Sequence, residues 1–214
     1  MRITRAASWG KIGAVTSPSD PVALLERALD QTAEVMASIP ADEGGLATPC
    51  PAWDVDALVR HLVGQDLRNF LISARGGTAD WQAPADDVDE DLTTAFGIRA
   101  GQLLEAWLAA DLDQLTDLPG GRQAPLSTRA DQQIAELAMH SWDLAKATDQ
   151  HVDLDAELAE YALAWSHQML RPEFRGPDKA FGFEIPVAAD APAYERLAGW
   201  FGRDPGWTPA DVVS

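Results

Sequence analysis

Through four long stretches of this chain, apolar residues return every third or fourth position. That spacing places them on one face of an α-helix and leaves little room for sheet. The first stretch carries Val22, Leu25, Leu29, Ala33 and Met36 behind Asp20-Pro21, an N-cap followed by proline at the first helical position. It is predicted to stop near Ile39-Pro40. The second starts at the N-cap Asp54 and presents Val55, Leu58, Val59, Leu62, Val63, Leu67 and Phe70; it runs to about Arg75 and ends at Gly76-Gly77. The third covers about Glu90 to Ala110, with Leu92, Phe96, Leu103, Leu104, Trp107 and Leu108 as core candidates. The fourth spans about Thr128 to Thr148. A fifth helix, capped by Asp153 or Asp155, reaches about Leu170, and Asp190 caps a last one over about Ala191 to Phe201. Residues 42–51 and 78–89 read as loops, 112–126 as irregular, and 181–187 as a short extended piece. Four long helices with connections of moderate length predict an all-α fold, a four-helix bundle with additional C-terminal helices.

At 214 residues and 46% hydrophobic, the chain is long enough for one domain with a sizeable core. Residues 1–19 read as a loose tail and 20–214 as that domain. A formal charge of -18 argues against non-specific nucleic-acid binding, which needs clustered Lys and Arg, and against anionic membranes. No apolar run approaches the roughly 20 residues of a membrane-spanning helix. Met1 to Ser19 contains Arg2, Arg5 and Lys11 but no apolar core of a secretory signal. The single cysteine, Cys50, excludes an internal disulfide and fits a reducing cytoplasm.

The chemistry-bearing segment is Ala135 to Ala145, where Glu136 and His140 stand four apart in a helical run. Residues i and i+4 share a helix face, so two such side chains can grip one metal ion. His61, on the second helix, is the candidate third ligand. Each group sits on a polar stripe bordering an apolar arc: Gln133, Glu136, His140 and Asp143 on the fourth helix, His61, Gln65 and Asn69 on the second. The plain alternative is that both stripes face solvent and hold no metal. If they face each other, two imidazoles and one carboxylate leave coordination positions open, as a catalytic site requires. Zn²⁺ suits this set best; Ni²⁺, Fe²⁺ and Co²⁺ also fit. Gln65, Asn69 and Asp143 are candidates for orienting the imidazoles. Gln65 or Asp143 is also the candidate for passing protons in catalysis. His151 is expected to be exposed, His167 to be a hydrogen-bonded boundary residue, and Cys50 to be a packed small hydrophobe.

Thr48-Pro49-Cys50-Pro51-Ala52-Trp53-Asp54-Val55, followed by Leu58-Val59-Arg60-His61-Leu62-Val63-Gly64, resembles the N-terminal motif of the mycothiol-dependent maleylpyruvate isomerase superfamily. The segment from His140-Ser141-Trp142-Asp143 to Thr148 resembles its second motif. The tail from Leu197-Ala198-Gly199-Trp200 to Pro205 resembles an actinobacterial branch described as metal-binding. Over about Asp20 to Pro209 the resemblance implies a DinB/YfiT-like bundle whose metal ligands fall on His61, Glu136 and His140. The isomerase proper carries a further C-terminal domain for which 214 residues leave no room. What the resemblance implies is therefore the bundle and its metal more than maleylpyruvate itself.

The function expected is a metal-dependent thiol S-transferase or isomerase using mycothiol as cosubstrate against a small electrophile. The partners expected are that thiol and electrophile, with no nucleic acid, no membrane and, as one option, a second copy of the chain. A metal-dependent hydrolase and a non-catalytic metal- or ligand-binding sensor are the rival readings.

Overall fold

In the computed structural model, residues 20–118, 121–176, 179 and 181–209 are described; the expected tail, residues 1–19, lies outside the described residues. The first helix, α1, is Pro21–Ala37. The second run is one rod in three parts: α2, Val55–His61; a π-helical turn, Leu62–Asp66; and α3, Leu67–Ala74. Then come α4, Leu92–Ala109, and α5, Ser127–Ala147. These four rods make the all-α bundle that the apolar spacing predicts. Helix α6, Ala156–Met169, packs on α5, and α7, Ala193–Trp200, packs on α6 and α5. Among the described residues, no helix is long and apolar enough to cross a membrane.

The caps follow from the sequence. Asp20, Asp54, Asp91 and Asp155 each accept a backbone N–H of the first turn, at 2.8–3.0 Å. Each satisfies an otherwise orphaned donor and sets a negative charge against the positive end of the helix. The whole predicted apolar arc of the second run, Val55 to Phe70, is buried. Three expectations are corrected. The last helix starts at Ala193 behind Pro192, and its first turn has no side-chain cap, so Asp190 does not serve. Residues 112–126, read as irregular, contain a short antiparallel hairpin, β1 (Leu115–Leu118) and β2 (Arg122–Pro125). Its strands are four residues each and place their apolar residues without strict alternation, so no period-two pattern announces them. Leu108, a core candidate, is 70% exposed, while Phe96, Leu103 and Trp107 fill the core.

Helix α5 is the axis of the molecule. From Ala130 onward it is buried on most sides, because α1, α2, α3, α6 and α7 all lie against it. Its alanines and serine allow close approach: Ser141 Oγ is 2.9 Å from Thr32 Oγ1 of α1. The polar stripe meets the same fate, and Gln133, His140 and Asp143 are buried.

Two glycines bring distant segments onto the bundle. Gly64 lies in the π turn, where its carbonyl accepts the Asp86 N–H at 3.0 Å and draws the 80–87 loop onto the rod. An added Cβ would stand 2.8 Å from the Asp86 carbonyl oxygen. Gly64→Ala should therefore lift that loop, whose carbonyls anchor the Gln65 amide, at a cost of about 1–3 kcal/mol. Denaturant unfolding of the purified variant checks this, and unchanged stability would show that the loop accommodates the methyl group. Gly202, at φ +80°, closes α7: its N–H reaches Gly199 O and that of Arg203 reaches Ala198 O. These are the paired hydrogen bonds of a left-handed C-terminal turn, which delivers Arg203 back into the core.

Candidate metal centre

His61 and His140 face each other across the gap between the second rod and α5, with ring centres 5.6 Å apart. The Trp53 indole lies flat on His61, 4.2 Å away at 21°. It closes one side of the site. The centre opens into a cavity of about 330 Å³ bounded by Trp53, Trp81, Met139, Phe181 and Arg203.

Each imidazole is oriented from behind. Gln65 donates its Nε2 hydrogens to the carbonyls of Trp81 and Ala83, at 3.2 and 2.8 Å. That fixes the amide so its oxygen faces His61 Nδ1, at 2.8 Å. An amide oxygen only accepts, so His61 carries its proton on Nδ1 and presents a lone pair at Nε2. His140 Nδ1 lies 3.0 Å from Asp143 Oδ2. Asp143, fully buried, is held in turn by Arg203 through Nε and Nη2, at 3.4 and 3.2 Å. A histidine with its Nδ1 hydrogen on an acceptor and its Nε2 turned inward is the usual posture of a metal ligand.

The Nε2 atoms look at carboxylates. His140 Nε2 is 3.5 Å from Glu136 Oε2, and His61 Nε2 is 3.3 Å from Asp66 Oδ1. Asp66 is 4% exposed, and its other oxygen has no hydrogen-bond partner. Burial, helped by the Glu136 charge, pushes the Asp66 pKa well up. Burial, together with the charge of His140, lowers His61 to about 4, so this imidazole is neutral. Burial would lower His140 too, but its bonds to Asp143 and Glu136 prevail and raise it to about 10. The carboxyl groups of Asp66, Glu136 and Asp143 thus crowd the two imidazoles, in a place that calls for positive charge.

Among the described residues, no three His, Cys, Asp or Glu side chains are drawn together as a ready-made metal cluster. The donors stand in two pairs. Within each pair the spacing suits one ion, because two atoms bound tetrahedrally at about 2.0 Å lie about 3.3 Å apart. Two imidazoles sharing such an ion have ring centres about 5 Å apart. The donor set and the orphaned Asp66 oxygen therefore fit a divalent cation.

Asp66 is the residue that sequence reading misses. A regular helix turns five residues through about 500°, which sets Asp66 well away from the azimuth of His61. In the π turn Leu67 N–H bonds back to Leu62 O, and the widened turn brings both Gln65 and Asp66 under His61. Arg203 is likewise invisible as a site residue, since it arrives from 60 positions away. Asn69 is buried, but neither imidazole is among its hydrogen-bond partners. Cys50 is buried on the cavity wall and His151 is exposed. His167 is exposed and lies against the Trp200 ring at 4.0 Å, which corrects the boundary role expected for it.

The family model described as the mycothiol maleylpyruvate isomerase N-terminal domain matches residues 25–145. The chain belongs to this family. The matched stretch runs from α1 almost to the end of α5 and includes His61, Glu136 and His140. The uncharacterized proteins MT0763 and Rv0738 of Mycobacterium tuberculosis are each 32% identical to it over 185 residues, 86% of this chain and 98% of theirs. The crystal structure of the mycothiol-dependent maleylpyruvate isomerase superposes with a TM-score of 0.53 at 19% identity, over 67% of this chain and 66% of that one. At that identity the likeness shows the fold alone. The family's N-terminal-domain bundle is thus the scaffold here, and Arg203 reaches the centre from beyond the matched residues.

Proposed function

We propose that this family member is a thiol-dependent isomerase or S-transferase that takes mycothiol as cosubstrate and holds a divalent metal between His61, Glu136 and His140. The chemistry resides in one helical domain from residue 20 onward, with zinc as the metal that best matches the donors. The observation carrying the reading is the pair of inward-facing Nε2 atoms, each fixed through Nδ1 by Gln65 or Asp143 and each beside a carboxylate. Family membership supports the thiol, because the solved relative is by name mycothiol-dependent.

A bound divalent ion would supply Lewis acidity, lowering the pKa of a thiol or water brought against it. The chain's own residues do the rest. Gln65 and the 80–87 loop hold His61 in one tautomer. The Asp143–Arg203 pair does the same for His140. Trp53 and Met139 exclude water from two sides of the centre. The thiol gives its proton to water in the open cavity, and the sulfur lone pair forms a C–S bond at an electron-poor carbon of the bound electrophile. The π pair displaced by that bond moves onto the electrophile's acceptor group. Return of the pair after bond rotation expels the thiol and gives isomerisation; capture of a proton gives the S-adduct. Asp66 adds a further carboxylate beside the donor set, and Gln65 and Asp143 serve chiefly to orient.

Elemental analysis of the purified protein tests the first half. Wild type should carry about one metal per chain; His61→Ala, Glu136→Ala and His140→Ala should each lose most of it. Metal retained in all three would refute the assignment. Turnover of electrophiles with and without mycothiol tests the second half, since thiol-independent hydrolysis would point to water as the nucleophile.

A further inference from the structure

Beside the centre lies a second cavity of about 200 Å³, larger than the roughly 150 Å³ space that accepts benzene elsewhere. The two cavities share Gln132, Glu136, Phe181 and Phe201, so Glu136 stands on the wall between them. The second is walled by Trp165, Met169, Leu170, Phe174, Phe181 and Phe201 and floored by α5. Along that floor Arg129, Gln132 and Glu136 follow one another at helical spacing.

Two cations line this cavity, Arg122 and Arg129, and neither forms an ion pair among the described residues. Arg27, Arg68, Arg99, Arg196 and Arg203 all face carboxylates, as a chain with 34 acidic and 16 basic residues makes easy. Arg129 gives one N–H to Gln132 Oε1 at 2.8 Å and one to the Asp117 carbonyl at 3.1 Å. Three of its five donors remain. Burial lowers its pKa, the mark of a charge removed from water without a counter-charge.

We propose that this cavity binds an electrophile with an apolar body and a single carboxylate, the carboxylate on Arg129 and the reacting carbon at the Glu136 end. The reaction it undergoes rests on the thiol-dependent function proposed for the metal centre; its binding does not. Helix α5 sets the length. Seven residues at 1.5 Å each put Arg129 about 10 Å from Glu136 along the axis. That is the span of an extended chain of about eight carbons, and the aromatic and aliphatic walls match such a body. A compact diacid would leave the walls bare and set a second charge against apolar surface. Arg122, on the hairpin, extends the cationic rim.

Calorimetric titration of the metal-free, thiol-free full chain with octanoate, 1-octanol and succinate tests this. Octanoate should bind, and succinate should bind at least tenfold more weakly. Arg129→Gln should weaken octanoate roughly tenfold or more, as loss of a charge-assisted bond requires, and leave 1-octanol unchanged. Met169→Trp, which fills the cavity from α6 and leaves the Arg129 charge in place, should abolish both. Circular dichroism checks that each variant is folded. No octanoate binding to wild type, equal affinity for Arg129→Gln, or succinate binding as well as octanoate would each overturn the proposal. Because neither metal nor thiol is present, failure of the metal reading leaves this result standing, and the reverse.

Discussion

Arg203→Met should destabilise the protein by about 3–5 kcal/mol, the usual cost of stripping one partner from a buried ion pair. Arg203 is 7% exposed and Asp143 is fully buried. The guanidinium meets Asp143 through two nitrogens and gives a third bond to the Phe201 carbonyl at 3.2 Å. Methionine fills much the same space but leaves the carboxylate with the His140 imidazole alone. The charge then keeps only the imidazolium, with neither water nor the guanidinium beside it. Denaturant unfolding measures the loss. A second variant separates the burial cost from the role in orientation: Asp143→Leu combined with Arg203→Met removes the charge as well as its partner. That pair should recover most of the stability. It should not recover affinity for the proposed zinc, expected to fall 10- to 100-fold when the acceptor behind a proposed ligating histidine is lost. A loss under 1 kcal/mol for Arg203→Met would show that water reaches Asp143.

Trp107→Ala should cost about 3–5 kcal/mol, by a different route. Trp107 is 1% exposed and is among the largest fully buried side chains. Its indole N–H donates to Gln133 Oε1 at 2.9 Å, joining α4 to α5. Gln133 is itself buried, and its Nε2 already has no partner. Alanine therefore opens a large void and orphans the rest of the amide. For a chain of this length the melting temperature should fall by roughly 6–20 °C. Metal content should not change, because Gln133 makes no hydrogen bond to either imidazole or its supports. Trp107→Phe keeps most of the ring and should lose less than half as much. Equal losses for the two variants would assign the effect to the hydrogen bond and not to volume.

The bundle was legible because its signals are local. Aspartate caps and three-four spacing act within one or two turns, and they locate α1, the second rod, α5 and α6 to within a few residues. His61, Glu136 and His140 were legible as candidates for the same reason: i,i+4 geometry is local. Three features were not. Projecting the second rod at a uniform 100° lined His61 up with Gln65 and Asn69, whereas the π turn brings Gln65 and Asp66 to His61 and leaves Asn69 elsewhere. Nothing in Leu62-Val63-Gly64-Gln65-Asp66 announces that extra residue; Gly64 only permits the loop contact that accompanies it. The polar stripe of α5 carried a solvent-facing alternative because the segment that covers it, ending in Arg203, lies far along the chain. The hairpin formed without an apolar face because it leans on the edge of the bundle instead of building a core of its own.

The left-handed turn at Gly202 folds a late segment of the chain back over the bundle. The stretch that matches the family, residues 25–145, supplies the proposed metal donors, whereas Phe181, Phe201 and Arg203 come from a collar fastened afterwards. The collar can therefore reshape what enters the cavity while leaving the proposed donors untouched.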